Sequence, residues 1–144
     1  MSQTLRAKLL RPGARLPGRA TDGASGWDLY ACTDGRSIQL SQLPTLIPTG
    51  LALEVPPGLD AQLRPRSGLA RQGVLATFGT LDADYRGEVM IALYTTSPAV
   101  AYTVHDGDRI AQLVVTRLAE IDFAIADELA PTARGAGGHG STGR

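Results

Sequence analysis

Residues 79–88 concentrate reactive side chains in the middle of the sequence. Asp82, Asp84, Tyr85 and Arg86 stand together here, and a glycine lies at or near each end of the stretch. Two carboxylates spaced two residues apart lie on one face of an extended chain, so either can act as a general base. A purely structural turn needs only one or two turn residues, and the stretch therefore predicts a polar site.

Apolar runs at residues 74–78 and 89–93 flank this stretch. An apolar run, a polar turn bounded by glycine and a second apolar run predict a β-hairpin with the polar side chains at its tip. Just upstream, residues 67–72 predict one short helical turn, with Ser67 as its cap and Gly73 as its stop.

The remaining chain alternates short apolar runs with glycine and proline, and no helical period extends over ten residues. This pattern predicts an all-β fold: a β-sandwich, jelly roll or barrel. Pro48 and Gly50 predict a bulge or an edge strand. The other predicted strands are residues 5–9, 27–31, 37–40, 45–55, 59–63, 89–95, 102–104, 110–118 and 121–125.

The composition limits the possible partners. The 144 residues suffice for one domain, and 14 basic residues balance 14 acidic ones, which argues against a domain that coats nucleic acid or an anionic membrane. Cys32 is the only cysteine, so the chain has no intrachain disulfide or cysteine-rich metal site. No apolar stretch has the length of a membrane span. We expect a soluble, cytoplasmic protein.

The composition changes at Pro131, which predicts a β domain over residues 1–130 and a glycine-rich arm over residues 131–144. A disordered tail is the simplest interpretation. Arg134, His139 and the pair Ser141–Thr142 favour an arm that becomes ordered over a polyphosphate, because exposed backbone N–H groups, hydroxyls and arginine all bind phosphate.

Three further polar clusters interrupt the strands, at residues 25–29, 65–70 and 107–113. Each has a structural explanation when taken alone. Gly26 can mark a bulge, Asp108 and Arg109 a surface ion pair, and Gln112 a residue facing solvent. Together with residues 79–88 and the arm, however, they resemble in order and spacing the five motifs of the trimeric dUTPases (deoxyuridine triphosphate nucleotidohydrolases). The resemblance extends from residue 5 to residue 144.

This resemblance implies a jelly-roll β-sandwich and a homotrimer whose active sites lie at subunit boundaries. It also implies hydrolysis of dUTP to dUMP and pyrophosphate, with Mg²⁺ held mainly by the phosphates and water. That reaction limits uracil incorporation into DNA and supplies dUMP. Asp82 matches the general base that activates water against the α-phosphorus, and Asp84 is left as a turn residue.

Tyr85 matches the residue that packs against the deoxyribose and excludes a 2′-hydroxyl. Backbone groups around Gly79 and Thr80 are expected to read the uracil edge. Many relatives have an asparagine six residues before the base, where this chain has Ala76. The missing amide removes one hydrogen bond to uracil, worth about 0.5–1.5 kcal/mol.

The other clusters are expected to bind the phosphates. Ser67 matches a residue that stabilises the oxygen bridging the α- and β-phosphates, Gln112 lies near the phosphates, and Asp28 lies near the water shell of the metal. Arg134 matches the clamp on the γ-phosphate, and His139 takes the place of an aromatic ring over the uracil. Arg66, Gly68, Gly138, Gly140, Ser141 and Thr142 complete the expected substrate contacts.

Two alternatives remain at this point. A dCTP deaminase shares the fold and lacks the glycine-rich arm, but it needs a glutamate placed for proton transfer at the nucleobase. None of the four glutamates here has a matching setting. A regulator that senses the nucleotide and signals to a protein partner would use the same closed arm.

Overall fold

The structure, a computed structural model, describes residues 2–140 and 142–143. Within these residues the chain forms ten strands and one short helix. In chain order they are β1 (Arg6–Leu9), β2 (Gly26–Tyr30), β3 (Ile38–Gln39), β4 (Thr45–Glu54), β5 (Leu59–Arg64), α1 (Ser67–Arg71), β6 (Val74–Ala76), β7 (Gly79–Leu81), β8 (Glu88–Thr95), β9 (Thr103–Val104) and β10 (Arg109–Arg117).

Two four-stranded antiparallel sheets form a β-sandwich. The strand order is β1-β4-β8-β6 in one sheet and β2-β10-β5-β7 in the other, and β3 pairs with β9 in a small third sheet. The predicted all-β sandwich with one short helix is confirmed. In the described part of the chain, no helix is long and apolar enough to span a membrane.

The core lies between the two sheets and contains mainly aliphatic side chains. Along β8, buried and partly exposed residues alternate, so Val89, Ile91 and Leu93 face the interior. They belong to the same cluster as Leu29 and Leu113 of the opposite sheet. A period of two buries one face of each strand, and the predicted apolar runs match nine of the ten strands to within two residues, β7 being the exception.

A bulge interrupts β4, as the pair Pro48 and Gly50 predicted. The register with β8 shifts between Pro48 and Ala52, and Gly50 has a positive φ of 70°. Because β4 lies between β1 and β8, it is not an edge strand. The bulge turns the Gly50 N–H toward a carboxylate oxygen of Glu88, at 2.8 Å.

The predicted hairpin at residues 74–93 is partly wrong. β6 and β8 do pair antiparallel, but β7 leaves them and pairs with β5 in the opposite sheet. Gly79 packs against Leu63 there, and a Cβ at this position would lie 3.1 Å from Leu63 Cδ1. The polar residues 82–88 therefore form the connection between two sheets rather than the tip of one hairpin.

The predicted strand at residues 121–125 is also wrong. Its residues are exposed and lie in no strand, and Phe123 is 95% exposed. The preceding strand β10 already has β2 and β5 on its two sides, so a direct continuation finds no free strand edge. The alternation of Ile121, Phe123 and Ile125 is nevertheless typical of a strand that buries one face.

Candidate active site

A polar cleft of about 240 Å³ lies between β2, β10 and the start of α1. Three of the polar clusters singled out in the sequence converge on it. The lining residues are Ala20, Ala24, Ser25, Gly26, Asp28, Arg66, Ser67, Gly68 and Gln112.

The register of β10 brings these clusters together. Gln112 lies opposite Asp28 of β2 on one side and opposite Arg64 of β5 on the other. Because α1 begins three residues after Arg64, Ser67 reaches the same end of the sheet. Residues far apart in sequence thus share one cleft through strand pairing alone.

Asp28 is held by two arginines. Its Oδ1 accepts a hydrogen bond from Arg66 Nε at 3.0 Å, and its Oδ2 lies 3.6 Å from Arg109 Nη1. The Asp28 side chain is only 13% exposed, so both cations compensate a largely buried charge. Arg66 also donates from Nη1 to the backbone oxygen of Arg109, at 3.3 Å. The three side chains form one charged network in the cleft wall.

Arg109 is a site residue that the sequence interpretation missed. The predicted surface ion pair between Asp108 and Arg109 was wrong. Arg109 contacts Asp28, whereas Asp108 Oδ2 accepts a hydrogen bond from the backbone N–H of His105 at 2.7 Å. Asp108 precedes β10 and Arg109 begins it, and the contact of Arg109 with Asp28 depends on the pairing of β10 with β2, for which the local sequence gave no signal.

The Gln112 amide has a fixed orientation. Its Nε2 donates to the backbone oxygen of Pro65 at 3.0 Å, and the side chain lies over Gly26. A Cβ at Gly26 would lie 3.1 Å from Gln112 Cδ. The absence of a side chain at Gly26 therefore makes room for the Gln112 amide, and Gly26 does not mark a bulge. The register of β2 and β10 is irregular between Arg109 and Ala111 instead. One N–H of the amide remains for a ligand.

Helix α1 begins differently from the prediction. Arg66 is its N-cap residue and makes no side-chain cap, so Ser67 is the first helical residue and not the cap. The Ala70 N–H bonds to the Arg66 oxygen at 2.9 Å, and by helix geometry the N–H groups of Ser67 and Gly68 have no partner within the helix. No atom lies within 4 Å of a Cβ placed at Gly68, which leaves its backbone open to close approach. The predicted stop is confirmed, since Gly73 follows the helix at φ 84°.

The connection at residues 82–88 is tightly turned. The Tyr85 N–H donates to the Asp82 backbone oxygen at 3.0 Å, and Arg86 Nη1 donates to the Ala83 oxygen at 2.6 Å. The Tyr85 hydroxyl donates to the Glu88 backbone oxygen at 2.9 Å. The ion pairs within the described residues involve neither the carboxylate of Asp82 nor that of Asp84.

Asp82 and the cleft lie at opposite ends of β5. Leu81 pairs with Ala61, which places Asp82 near Asp60, whereas the cleft residues begin after Arg64. Arg66 lies six residue steps after Asp60 along extended chain, or roughly 20 Å at about 3.3 Å per step. Within one chain, the proposed base and the cleft therefore do not meet.

The described part of the arm contacts neither region through hydrogen bonds. Arg134 Nε donates to the Gly137 oxygen at 2.8 Å, and Gly135 N–H donates to Thr132, so the bonds are local turns. His139 has a positive φ of 51° and is exposed. Gly138, Gly140 and Thr142 lie in the same segment, and Ser141 falls outside the described residues.

The described residues contain no cluster of three or more His, Cys, Asp or Glu side chains able to hold a metal ion. Among these residues, Asp28 is the only carboxylate that lines the cleft, and two guanidinium groups already bind it. A direct bond from Asp28 to a metal ion would break its contacts with the two arginines. The cleft residues therefore fit a metal ion held through water and substrate oxygens.

Sequence comparison supports the resemblance independently. The dUTPase family model matches residues 13–143. The chain belongs to the dUTPase family. It is 45% identical over 152 residues to the deoxyuridine 5′-triphosphate nucleotidohydrolases of Mycobacterium bovis BCG (strain Pasteur) and Mycobacterium tuberculosis H37Ra, covering 99% of this chain and 97% of each relative.

Solved structures of dUTPases share the fold. The Staphylococcus bacteriophage 80alpha dUTPase with dUpNHpp matches at a TM-score of 0.88 and 24% identity, over 99% of this chain and all of that one. A mutant dUTPase from phage phi11 of S. aureus, described as coordinating a structural Mg(II) ion, matches at a TM-score of 0.77 and 22% identity over 88% of this chain and 98% of that one. At these identities the likeness establishes the fold alone.

Proposed function

We propose that this dUTPase-family chain hydrolyses dUTP to dUMP and pyrophosphate at a site assembled from more than one protomer. The 45% identity over nearly full length to mycobacterial nucleotidohydrolases supports the reaction. The observation that carries the site is the register of β10, which makes one cleft out of Asp28, Gln112 and the start of α1.

The cleft binds the triphosphate and stabilises the leaving group. Ser67, Gly68 and Gln112 line one volume, and they offer it a hydroxyl, the backbone N–H groups at the start of α1 and the remaining amide N–H of Gln112. Such donors stabilise the charge that develops on the oxygen between the α- and β-phosphorus as the bond to pyrophosphate breaks. Arg66 adds positive charge, although Asp28 neutralises part of it.

Asp82 is the general base. It removes a proton from a water molecule whose oxygen bonds to the α-phosphorus, while the bridging P–O bond breaks and pyrophosphate leaves in line. The protein contacts of Asp82 support this role, because no ion pair of the described residues holds its carboxylate. Asp84, which is also exposed, acts only in the turn.

The nucleoside lies against β7 and the following turn. β7 is an outer strand of its sheet, so the edge that does not pair with β5 has free backbone groups near Gly79 and Thr80. An unpaired strand edge presents N–H and C=O groups that can read the edge of uracil. The Tyr85 ring, 46% exposed, packs against the sugar and excludes a 2′-hydroxyl.

The arm closes the site. Arg134 binds the γ-phosphate, His139 lies over the base, and the nearby backbone and hydroxyl groups of Gly138, Gly140, Ser141 and Thr142 add donors. The described residues of this segment are largely exposed and make only local hydrogen bonds, which leaves them free to fold over a ligand. Closure excludes water from the phosphates.

A bound Mg²⁺ would neutralise phosphate charge during the reaction. The charged network around Asp28 fits an ion held by phosphate oxygens and water, with Asp28 accepting from that water shell.

The assembly is a homotrimer. Within one chain the proposed base and the cleft are separated along β5, so a complete site needs a second protomer. Residues 121–125 supply a second argument, since Ile121 and Phe123 are 69% and 95% exposed and lack a strand partner in the described chain. A neighbouring protomer would bury this apolar face.

Release of pyrophosphate from dUTP, UTP, dCTP and dTTP with Mg²⁺ tests the reaction. We expect turnover of dUTP far above the others, with dUMP as the second product. Release of ammonia from dCTP would instead identify a deaminase.

Mixed trimers test the shared site. Asp82→Asn and Ser67→Ala chains should each have little activity alone. Their equimolar mixture, refolded together, should recover about a quarter of the wild-type sites because each site takes these residues from two chains. A mixture as inactive as its components would place Asp82 and Ser67 in the same chain.

A further inference from the structure

The Tyr85 ring occupies a seat built by its own turn. Its hydroxyl donates to the Glu88 backbone oxygen at 2.9 Å, and the ring lies over Gly87. A Cβ at Gly87 would lie 2.6 Å from Tyr85 Cζ and 2.9 Å from Cε2. Gly87 does not have a positive φ, so its lack of a side chain serves the ring and not the backbone conformation.

The side chain of Glu88, the residue whose backbone oxygen accepts the Tyr85 hydroxyl, is held by residues outside the turn. Its carboxylate lies 2.5 Å from Arg11 Nη2 and accepts the N–H of Gly50 at 2.8 Å. Arg11 Nη2 also donates to the backbone oxygen of Cys32 at 3.2 Å. The Arg11 and Glu88 side chains are 27% and 23% exposed, and the hydrogen bond to Glu88 raises the pKa of Arg11. This pair is more enclosed than the Arg6–Glu54 pair, whose side chains are 79% and 43% exposed.

We propose that Arg11 and Glu88 are positioning residues that fix the Tyr85 ring and thereby set the rejection of ribonucleotides. Arg11 and Gly50 hold the Glu88 side chain, the Glu88 backbone oxygen holds the Tyr85 hydroxyl, and Gly87 admits the ring. The inference rests on the proposed function, in which the ring packs against the sugar of the nucleotide.

The selectivity consequence follows from the chemistry of the sugar. A 2′-hydroxyl adds one small polar group, and a hydrophobic wall rejects it only if the wall cannot move. A ring free to shift would make room for that hydroxyl, while a deoxyribose would still bind. Loosening the anchor therefore affects UTP and dUTP differently.

The test compares kcat/KM for dUTP and UTP in variants of the anchor. Arg11→Met keeps the aliphatic stem and loses the cation, and Glu88→Gln keeps an acceptor for Gly50 and loses the charge. We expect each to lower the dUTP preference about tenfold, the order of a lost charged hydrogen bond. The double variant should lose little more than either single variant, because both break one pair. Arg11→Lys should restore most of the preference.

Arg6→Met is the matched control, since it removes an exposed ion pair between β1 and β4, leaves Glu54 to its contact with Arg86 at 3.7 Å, and should leave the preference unchanged. Gly87→Ala displaces the ring without touching the pair and should lower the preference as well, which tests the role of the ring. Glu88→Gln keeps the test of the pair decisive if Arg11→Met does not fold.

Two outcomes overturn the inference. If the wild type prefers dUTP and the anchor variants lose both activities in equal proportion, Arg11 and Glu88 act only on stability, and the proposed function stands. If the wild type does not hydrolyse dUTP, the proposed function fails and the inference fails with it.

Discussion

The cleft and the segment at residues 82–84 use charge in opposite ways. In the cleft, Asp28 is bound by two arginines and the Gln112 amide by a backbone oxygen. In the segment, Asp82 and Asp84 take part in none of the ion pairs of the described residues. A group that orients a substrate benefits from being held, whereas a base must keep its lone pairs for water. The groups proposed to bind the substrate and the group proposed to act as the base are therefore in separate regions of one chain.

Removing the base should have the largest effect. Asp82→Asn keeps size and hydrogen-bonding capacity but cannot take a proton, so kcat should fall by about 10³-fold while nucleotide affinity changes little. Turnover assays and calorimetric titration with a nonhydrolysable dUTP analogue measure both. Asp84→Asn is the control and should stay within a few fold of wild type. The reverse result would assign the base to Asp84.

Deleting residues 134–144 should be nearly as severe for activity and harmless to the fold. Without the arm the phosphates stay open to water, and we expect kcat/KM to drop by about 10²-fold. Sedimentation and circular dichroism should still report a folded trimer, because the described arm makes only local hydrogen bonds. Full activity of the truncated protein would refute the proposed closure of the site by the arm.

A methyl group beneath the Gln112 amide should have a moderate effect. Gly26→Ala places a Cβ 3.1 Å from Gln112 Cδ, so the amide must shift, and we expect kcat/KM for dUTP to fall by about tenfold. Gly23→Ala is a matched control in the turn just before β2, since the added Cβ meets no neighbouring side chain within 4 Å and the φ of Gly23 is not positive. Equal activity of the two variants would mean that the space at Gly26 does not orient the amide.

The smallest effect concerns a carboxylate that belongs to neither region. The N–H groups of Thr33 and Gly35 donate to Asp106 at 2.8 and 3.1 Å, and these bonds, that of Thr33 first, lower the pKa of Asp106 below its ordinary 3.8. A lowered pKa stabilises the folded state above pH 3.8, and this contribution is lost as the pH falls through the folded value.

Asp106→Asn should therefore lower the melting temperature at neutral pH and leave kcat unchanged. The difference from wild type should shrink as the pH decreases below 3.8. Thermal melts across pH measure this trend. A melting difference independent of pH would show that the charge of Asp106 does not contribute.

Local features of the fold were predictable from the sequence, and pairings between distant residues were not. Alternation located the strands, and Gly73 marked the end of α1. The transfer of β7 to the opposite sheet and the contact between Arg109 and Asp28 depend on which strands become neighbours. No local pattern encodes that choice, because register is settled by the packing of the whole core.

The failures at Ser67 and at residues 121–125 have different causes. Ser67 is a common cap residue, but the helix begins one residue earlier than a serine cap requires. Residues 121–125 do have the alternation of a strand, and they lack only a partner within the described chain. The resemblance to the family, rather than any residue spacing, separated Asp82 from Asp84, and the Asp82 assignment remains a prediction.

The register of β10 links catalytic activity to correct strand pairing. Side chains alternate along a strand, so a slip of one residue would turn Gln112 to the other face and move the end of β5 away from Asp28. A chain with mispaired strands can still be compact and mostly β, yet it has no cleft. Catalytic activity per molecule therefore measures the fraction of chains with correctly paired strands, which secondary-structure content alone does not reveal.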